Sequence, residues 1–131
     1  MILEINGYEY KDLHVTKFAP EVQILDGEGT GRTKSPGWDM IRDPHGYIIN
    51  FKVEFFSTRS DNPDFIHFWQ TALSLGSSEF VNVRFTGPAA TVIEQEMYYT
   101  VEPIEFVKSV PGGPVYTGPI KASFIAKKGF T

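Results

Sequence analysis

The chain has 131 residues, the size of one ordinary domain, and its 41% hydrophobic and 15% aromatic content is enough for a packed core and argues against global disorder. It contains no cysteine, which excludes disulfides, thiol catalysis and thiolate metal ligation. Sixteen acidic residues against twelve basic ones give a net charge of -4, a poor match for a phosphate backbone, so no direct nucleic-acid binding is expected. No apolar run approaches the ~20 residues that cross a bilayer. Met1-Ile2-Leu3-Glu4 does not open a basic-then-apolar leader, so a soluble protein made in a reducing cytoplasm is the expectation.

Residues 2–5 form a short apolar run, and Asn6-Gly7 is a tight-turn signal. Tyr8, Tyr10, Leu13 and Val15 then alternate imperfectly, and Val22 and Ile24 mark another strand. Pro20 either ends the run before it or places that run at a sheet edge. From about 26 to 46 the sequence is rich in Gly and Pro and alternates in charge. It predicts a long loop, with a short strand around Trp38–Arg42 whose Trp38, Met40 and Ile41 order the later part against the sheet. Residues 47–56 are the clearest strand. Tyr47, Ile49, Phe51, Val53 and Phe55 fall on one face and Asn50, Lys52 and Glu54 on the other.

Asn62-Pro63-Asp64 reads as a helix start: a capping side chain, a proline at the first helical position and an acid at the positive helix end. Phe65, Phe68, Trp69, Ala72 and Leu73 recur at offsets of three and four and predict a buried aromatic stripe, with His67 on the solvent side and Gly76 as the stop. A helix this short needs its apolar face docked on a sheet. Strand character resumes at 80–85, where Val81, Val83 and Phe85 oppose Asn82 and Arg84, and again at 91–101, giving a hairpin turned at Gly87-Pro88. Residues 104–110 pair again, Pro111-Gly112-Gly113-Pro114 turns, and a closing strand sends Ile120, Ala122, Phe124 and Ala126 inward. Many strands, frequent turns and one helix predict a mainly β fold. The expected architecture is an antiparallel β-sandwich or partly open barrel with one short helix packed against it, in a single domain over 1–131.

Catalytic chemistry finds little to work with. Gly27, Gly29 and Gly31 before Arg32-Thr33 miss the spacing, the lysine and the following helix of a phosphate loop. Asp26, Glu28, Asp39 and Asp43 do not follow the alternation of a calcium loop. His14, His45 and His67 are not spaced as local zinc pairs. Glu94 and Glu96, with Glu102 and Glu105 beyond, read as acids on a solvated sheet face rather than as a glycosidase pair. The expectation is therefore no enzyme, no cofactor and no metal. Trp38 is open between an interface anchor and a lid over a barrel end. Tyr8, Tyr10, Tyr98 and Tyr99 offer the alternative of an aromatic platform in a carbohydrate- or receptor-binding β-sandwich.

At Asp26-Gly27-Glu28-Gly29-Thr30-Gly31-Arg32, at Met40-Ile41-Arg42-Asp43-Pro44-His45-Gly46-Tyr47 and at Ser123-Phe124-Ile125-Ala126, the chain resembles small structural proteins of tailed bacteriophages and prophages of Gram-positive bacteria. The resemblance covers the first half well and the last strand loosely. It implies a non-enzymatic virion component of a tail or head–tail neck, made in the host cytoplasm, homo-oligomeric and often ring-forming, with other virion proteins as partners. On that resemblance Arg32 and Arg42 pair with acids of an adjacent subunit, Trp38 anchors the interface, and Asp26 and Asp43 belong to the same contact surface.

Overall fold

A computed structural model describes residues 2–26, 31–32, 40–41, 44–108 and 110–127. In chain order the elements are β1 (Leu3–Ile5), β2 (Tyr8–Glu9), β3 (Val15–Asp26), β4 (Gly31–Arg32), β5 (Met40–Ile41), β6 (Pro44–Phe55), α1 (Pro63–Ser74), β7 (Val81–Thr86), β8 (Val92–Val101), β9 (Phe106–Val107), β10 (Tyr116–Thr117) and β11 (Ile120–Ala126). Seven strands form one antiparallel sheet in the order β2-β1-β7-β8-β11-β6-β3, while β4 pairs with β5 and β9 with β10. The late strand β11 thus lies between β8 and β6.

The fold is mainly β, as the strand periodicity predicts, and the sheet is rolled without closing into a true barrel. Ring distances prove the curl. Phe18 on β3 and Phe85 on β7 sit four strand positions apart, about 19 Å on a flat sheet, yet their ring centroids are 5.8 Å apart. Phe51 bridges them, 4.6 Å from Phe85 and 4.4 Å from Phe124. The concave face is filled by the inward set of each strand: Ile5, Phe51, Phe55, Val83, Phe85, Met97, Tyr99, Ile120 and Phe124 are all buried. Their period of two was legible on β6, β7 and β11, and the polar alternates face out.

Helix α1 plugs the concave side. The Asn62 side chain accepts from the Asp64 backbone N–H at 2.9 Å, and Pro63 opens the first turn, as the sequence predicts. Phe68 is fully buried, with its ring 5.3 Å from Phe55, 4.8 Å from Tyr99 and 5.7 Å from Tyr10. The Tyr99 hydroxyl donates to the Phe68 carbonyl at 2.7 Å, tying sheet to helix through a buried polar contact. Asp64, also buried, accepts from the Tyr8 hydroxyl and from the Asp12 N–H, each at 2.7 Å, and so latches the β1–β2 hairpin to the helix start. That hairpin turns on Asn6 and Gly7, both at positive φ, the conformation an Asn-Gly pair adopts at least cost.

Two expectations for the helix are corrected. The aromatic stripe is not uniformly core: Phe65 and Phe68 are buried, but Trp69 is 40% exposed and Leu73 63%. A face wide enough to hold 65, 68, 69, 72 and 73 exceeds what one concave sheet can cover, and the 69–73 flank is left out. His67 is not on the solvent side either. Its ring stacks on Tyr8 at 3.9 Å and its Nδ1 shares a 2.6 Å hydrogen bond with the Tyr10 hydroxyl.

The predicted loop at 26–46 is narrower than its composition suggests. Asp26 pairs with Pro44, so β3 and β6 run to its borders, and within it Gly31 pairs with Ile41 and Arg32 with Met40. Pro20 lies inside β3, which is tolerated because β3 is the last strand of the sheet.

Candidate assembly surfaces

The β3–β6 ribbon outruns the body of the protein. Pairing between β11 and β6 ends at Phe124–Phe51, while β3 and β6 continue together to Asp26–Pro44. At the point where β11 stops, side chains take over: Asn50 Oδ1 accepts from the Ala126 N–H at 2.9 Å, and Gln95 Nε2 donates to the Ile49 carbonyl at 2.8 Å. Beyond them the ribbon is an arm. Its inward-phase residues, paired Val22–Ile49 and Ile24–Tyr47, continue the apolar alternation of the core beyond the end of the β11–β6 pairing. Val22 is 61% exposed, Ile24 50% and Tyr47 38%. Among the described residues nothing pairs with the outer edge of β3, a 12-residue strand. An edge this long presents a row of backbone donors and acceptors to any second strand.

A second apolar surface flanks α1. Ile66, Trp69 and Leu73 recur at offsets of three and four and are all exposed. Phe65 lies beneath them, 6.5 Å from Trp69 and 6.4 Å from the half-exposed Phe106 of β9. The charged or titratable side chains of the helix, Asp64 and His67, point to the β1–β2 hairpin instead, so this flank (with Gln70 and Ser74) carries no charge. The sequence held that signal, since solvated helix faces normally carry Lys or Glu.

The residues singled out from sequence fall unevenly. Trp38, Arg42 and Asp43 lie outside the described residues. Asp26 and Arg32 are placed by their backbones alone, at the end of β3 and on β4. The four tyrosines do not share an exposed face. Tyr10 and Tyr99 are core residues, and burial pushes both phenols well above their ordinary value. Tyr98, next to Tyr99 on a strand, points to the opposite, outer face. Tyr8 is engaged with Asp64, whose hydrogen bond raises its pKa.

Among the described residues no group of three or more His, Asp or Glu is placed to hold a metal ion. A shallow cleft of about 400 Å³ at the start of α1 is lined by Asp12, Thr58, Arg59, Asp61, Asn62 and Pro63, and its one cation, Arg59, is paired with Asp61 at 3.2 Å. Glu94 and Glu96 lie on the exposed face of β8, where Asn82 and Lys127 engage them. No helix among the described residues is long and apolar enough to cross a membrane.

No protein-family model and no curated protein matches the sequence. Among solved structures the chain is similar to a protein chain in the structure described as "Tail of empty GTA particle computed with helical refinement, C6 symmetry". The TM-score is 0.57 at 10% identity, over 100% of this chain and 95% of that one. The two chains share a fold from end to end.

Proposed function

We propose that this chain is a non-enzymatic structural subunit of a phage-like tail or head–tail connector, assembling through contacts with copies of itself and with neighbouring virion proteins. The observation that carries this reading is the long β3 edge, which among the described residues has no strand beside it, on an arm where Val22 and Ile24 are exposed. Monomeric proteins blunt such edges with charge, proline or brevity. Here Lys17, Pro20, Glu21 and Asp26 interrupt the edge, yet Val22 and Ile24 between the last two stay exposed. The end-to-end likeness to a chain of a helically repeating, six-fold particle supports the same reading. In such an assembly the segment that follows β3 in sequence, with Asp26, Arg32, Trp38, Arg42 and Asp43, meets the adjacent subunit, and the protein resides in the virion after synthesis in the host cytoplasm.

Light scattering across concentration, with negative-stain imaging of the same samples, tests the proposal. Mass that rises with concentration, and rings or short tubes in the images, are expected. A strict monomer at every concentration up to the millimolar range overturns self-assembly.

A further inference from the structure

The tip of the β1–β2 hairpin carries a reactive pair. Of the four asparagines, Asn6, Asn50, Asn62 and Asn82, only Asn6 is followed by a backbone nitrogen open to reaction. Pro63 has no N–H, and Phe51 and Val83 are held inside β6 and β7. Gly7 sits in the turn instead. Among the described residues its N–H meets no acceptor, and nothing lies within 4 Å of the place a Cβ would occupy. Asn6 and Gly7 are both exposed.

The chemistry open to such a pair is intramolecular deamidation. The Gly7 nitrogen, its proton lost to solvent base, bonds to the side-chain Cγ of Asn6. The Cγ–Nδ2 bond breaks, ammonia leaves with a proton from water, and a five-membered succinimide remains. Water then opens either ring carbonyl and returns aspartate or, with the backbone rerouted through Cβ, isoaspartate. The net exchange is one water for one ammonia, with no change of oxidation state.

The folded turn opposes the first step. Asn6 has φ 51° and Gly7 φ 83°, the paired positive values of a type I′ turn. At the ψ of about 47° that accompanies such a φ, the Gly7 nitrogen and the Asn6 Cβ lie on opposite sides of the Cα–C bond. Ring closure needs them on the same side, and flipping the peptide to bring them there leaves Asn6 in a conformation that favours glycine. Asn6 is also fixed against β7. Its N–H donates to the Asn82 carbonyl at 2.8 Å, and its Oδ1 accepts from the Asn82 N–H at 2.9 Å.

We propose that Asn6 is a deamidation site, silent while the β1–β2 hairpin is docked and converted when the hairpin detaches, with the latch of Tyr8 on Asp64 setting the rate. Tyr8 follows the turn directly. Its hydroxyl donates to buried Asp64 at 2.7 Å, its ring stacks on His67 at 3.9 Å, and the Tyr10 hydroxyl meets His67 Nδ1 at 2.6 Å. A group that reacts only in the open form converts at its chemical rate multiplied by the open fraction. The two products then differ. Aspartate keeps an oxygen where Oδ1 stands, so the bond from the Asn82 N–H survives. Isoaspartate lengthens the backbone of a two-residue turn, so the Ile5–Tyr8 pairing and the reach of Tyr8 to Asp64 are not both restored.

Peptide mass mapping, with isoaspartate separated from aspartate by chromatography, follows the conversion in mildly alkaline buffer. The wild-type protein is incubated folded and in guanidinium chloride, beside Tyr8→Phe, whose fold is checked by thermal unfolding. Asn6 should convert ahead of every other asparagine, and at least tenfold more slowly folded than unfolded. Folded Tyr8→Phe should convert about tenfold faster than folded wild type, the factor that loss of one bond to a carboxylate brings to the open fraction, with an unchanged rate in denaturant. Hydrogen exchange at the Tyr10 amide, which bonds the Leu3 carbonyl, gives the open fraction of the wild type without any substitution. It should match the ratio of folded to unfolded conversion rates. Equal rates folded and unfolded overturn the protection, and conversion led by Asn50 or Asn82 overturns the site. A Tyr8→Phe protein that converts at the wild-type rate, or an open fraction far from the rate ratio, overturns control by the latch.

Discussion

Ala89 and Ala90, in the short 3-10 turn Pro88–Ala90 between β7 and β8, both adopt φ of 57°, where an L residue with a Cβ is strained. Both are exposed, so nothing in the packing asks for alanine there. Replacing either with glycine is expected to stabilise the protein by about 0.5 to 1 kcal/mol, read as a higher urea midpoint with unchanged slope. Tyr10 and Tyr99 carry the opposite kind of constraint. Their phenols stay protonated in the fold well past the ordinary value of 10.0, while the unfolded chain releases those protons near it. The stability they contribute is therefore complete below pH 10 and lost as pH climbs above it, by about 1.4 kcal/mol per pH unit for each residue. Tyr99→Phe should lower stability at neutral pH by about 1 kcal/mol, through the lost bond to the Phe68 carbonyl, and make the alkaline loss shallower by about one proton's worth. Denaturant titrations at neutral pH and near pH 11 check both.

At the level of elements, α1 shows what sequence can and cannot specify. Its start was legible because capping is local: Asn62, Pro63 and Asp64 act on backbone groups within one turn. The second role of Asp64 was not, because Tyr8 and Asp12 reach it from more than fifty residues away. Asp64→Ala is expected to cost about 2 to 3 kcal/mol, by abandoning two charge-assisted hydrogen bonds in a buried site. Asn62→Ala should cost about 1 to 2 kcal/mol, for the cap and for the bond that its Nδ2 donates to the Thr58 hydroxyl at 2.8 Å. Thermal unfolding of the two variants separates the latch from the cap. The same limit explains His67 and Trp69. Helical periodicity locates an apolar face but not its width, and which side chains are covered depends on the curl of a sheet assembled from distant strands. Strand faces were read more reliably, since a period of two leaves only two choices and one buried residue settles all the others.

For the whole molecule, the fold class was legible while the strand order was not. Alternation and turn chemistry announce strands, but β1 meeting β7, or β3 meeting β6 rather than β2, is decided by long-range packing. The exposed apolar surfaces were partly legible for a related reason: the alternation of Val22 and Ile24 marks their strand, whereas the α1 flank takes shape only when Phe106 of β9 comes to lie near Phe65. If uncharged faces and backbone edges drive association, its dependence on salt is distinctive. Assembly in which the apolar and backbone contacts outweigh those of Arg32 and Arg42 should change little between about 50 and 500 mM sodium chloride and should strengthen in sulfate, measured as the concentration at which scattering begins to rise. A steep loss with added chloride would instead put charged contacts in control.

The place of β11 has a consequence for how the protein is made. It is the last strand of the described chain and also the one that joins two half-sheets, β2-β1-β7-β8 on one side and β6-β3 on the other. While the chain is still emerging from the ribosome, each half can pair within itself. The two are not joined into one sheet beneath α1 until Ile120–Ala126 has left the exit tunnel and paired with both. Completion of the sheet is thereby deferred until that strand is free, and a nascent chain halted before it remains two sticky leaves waiting for a hinge.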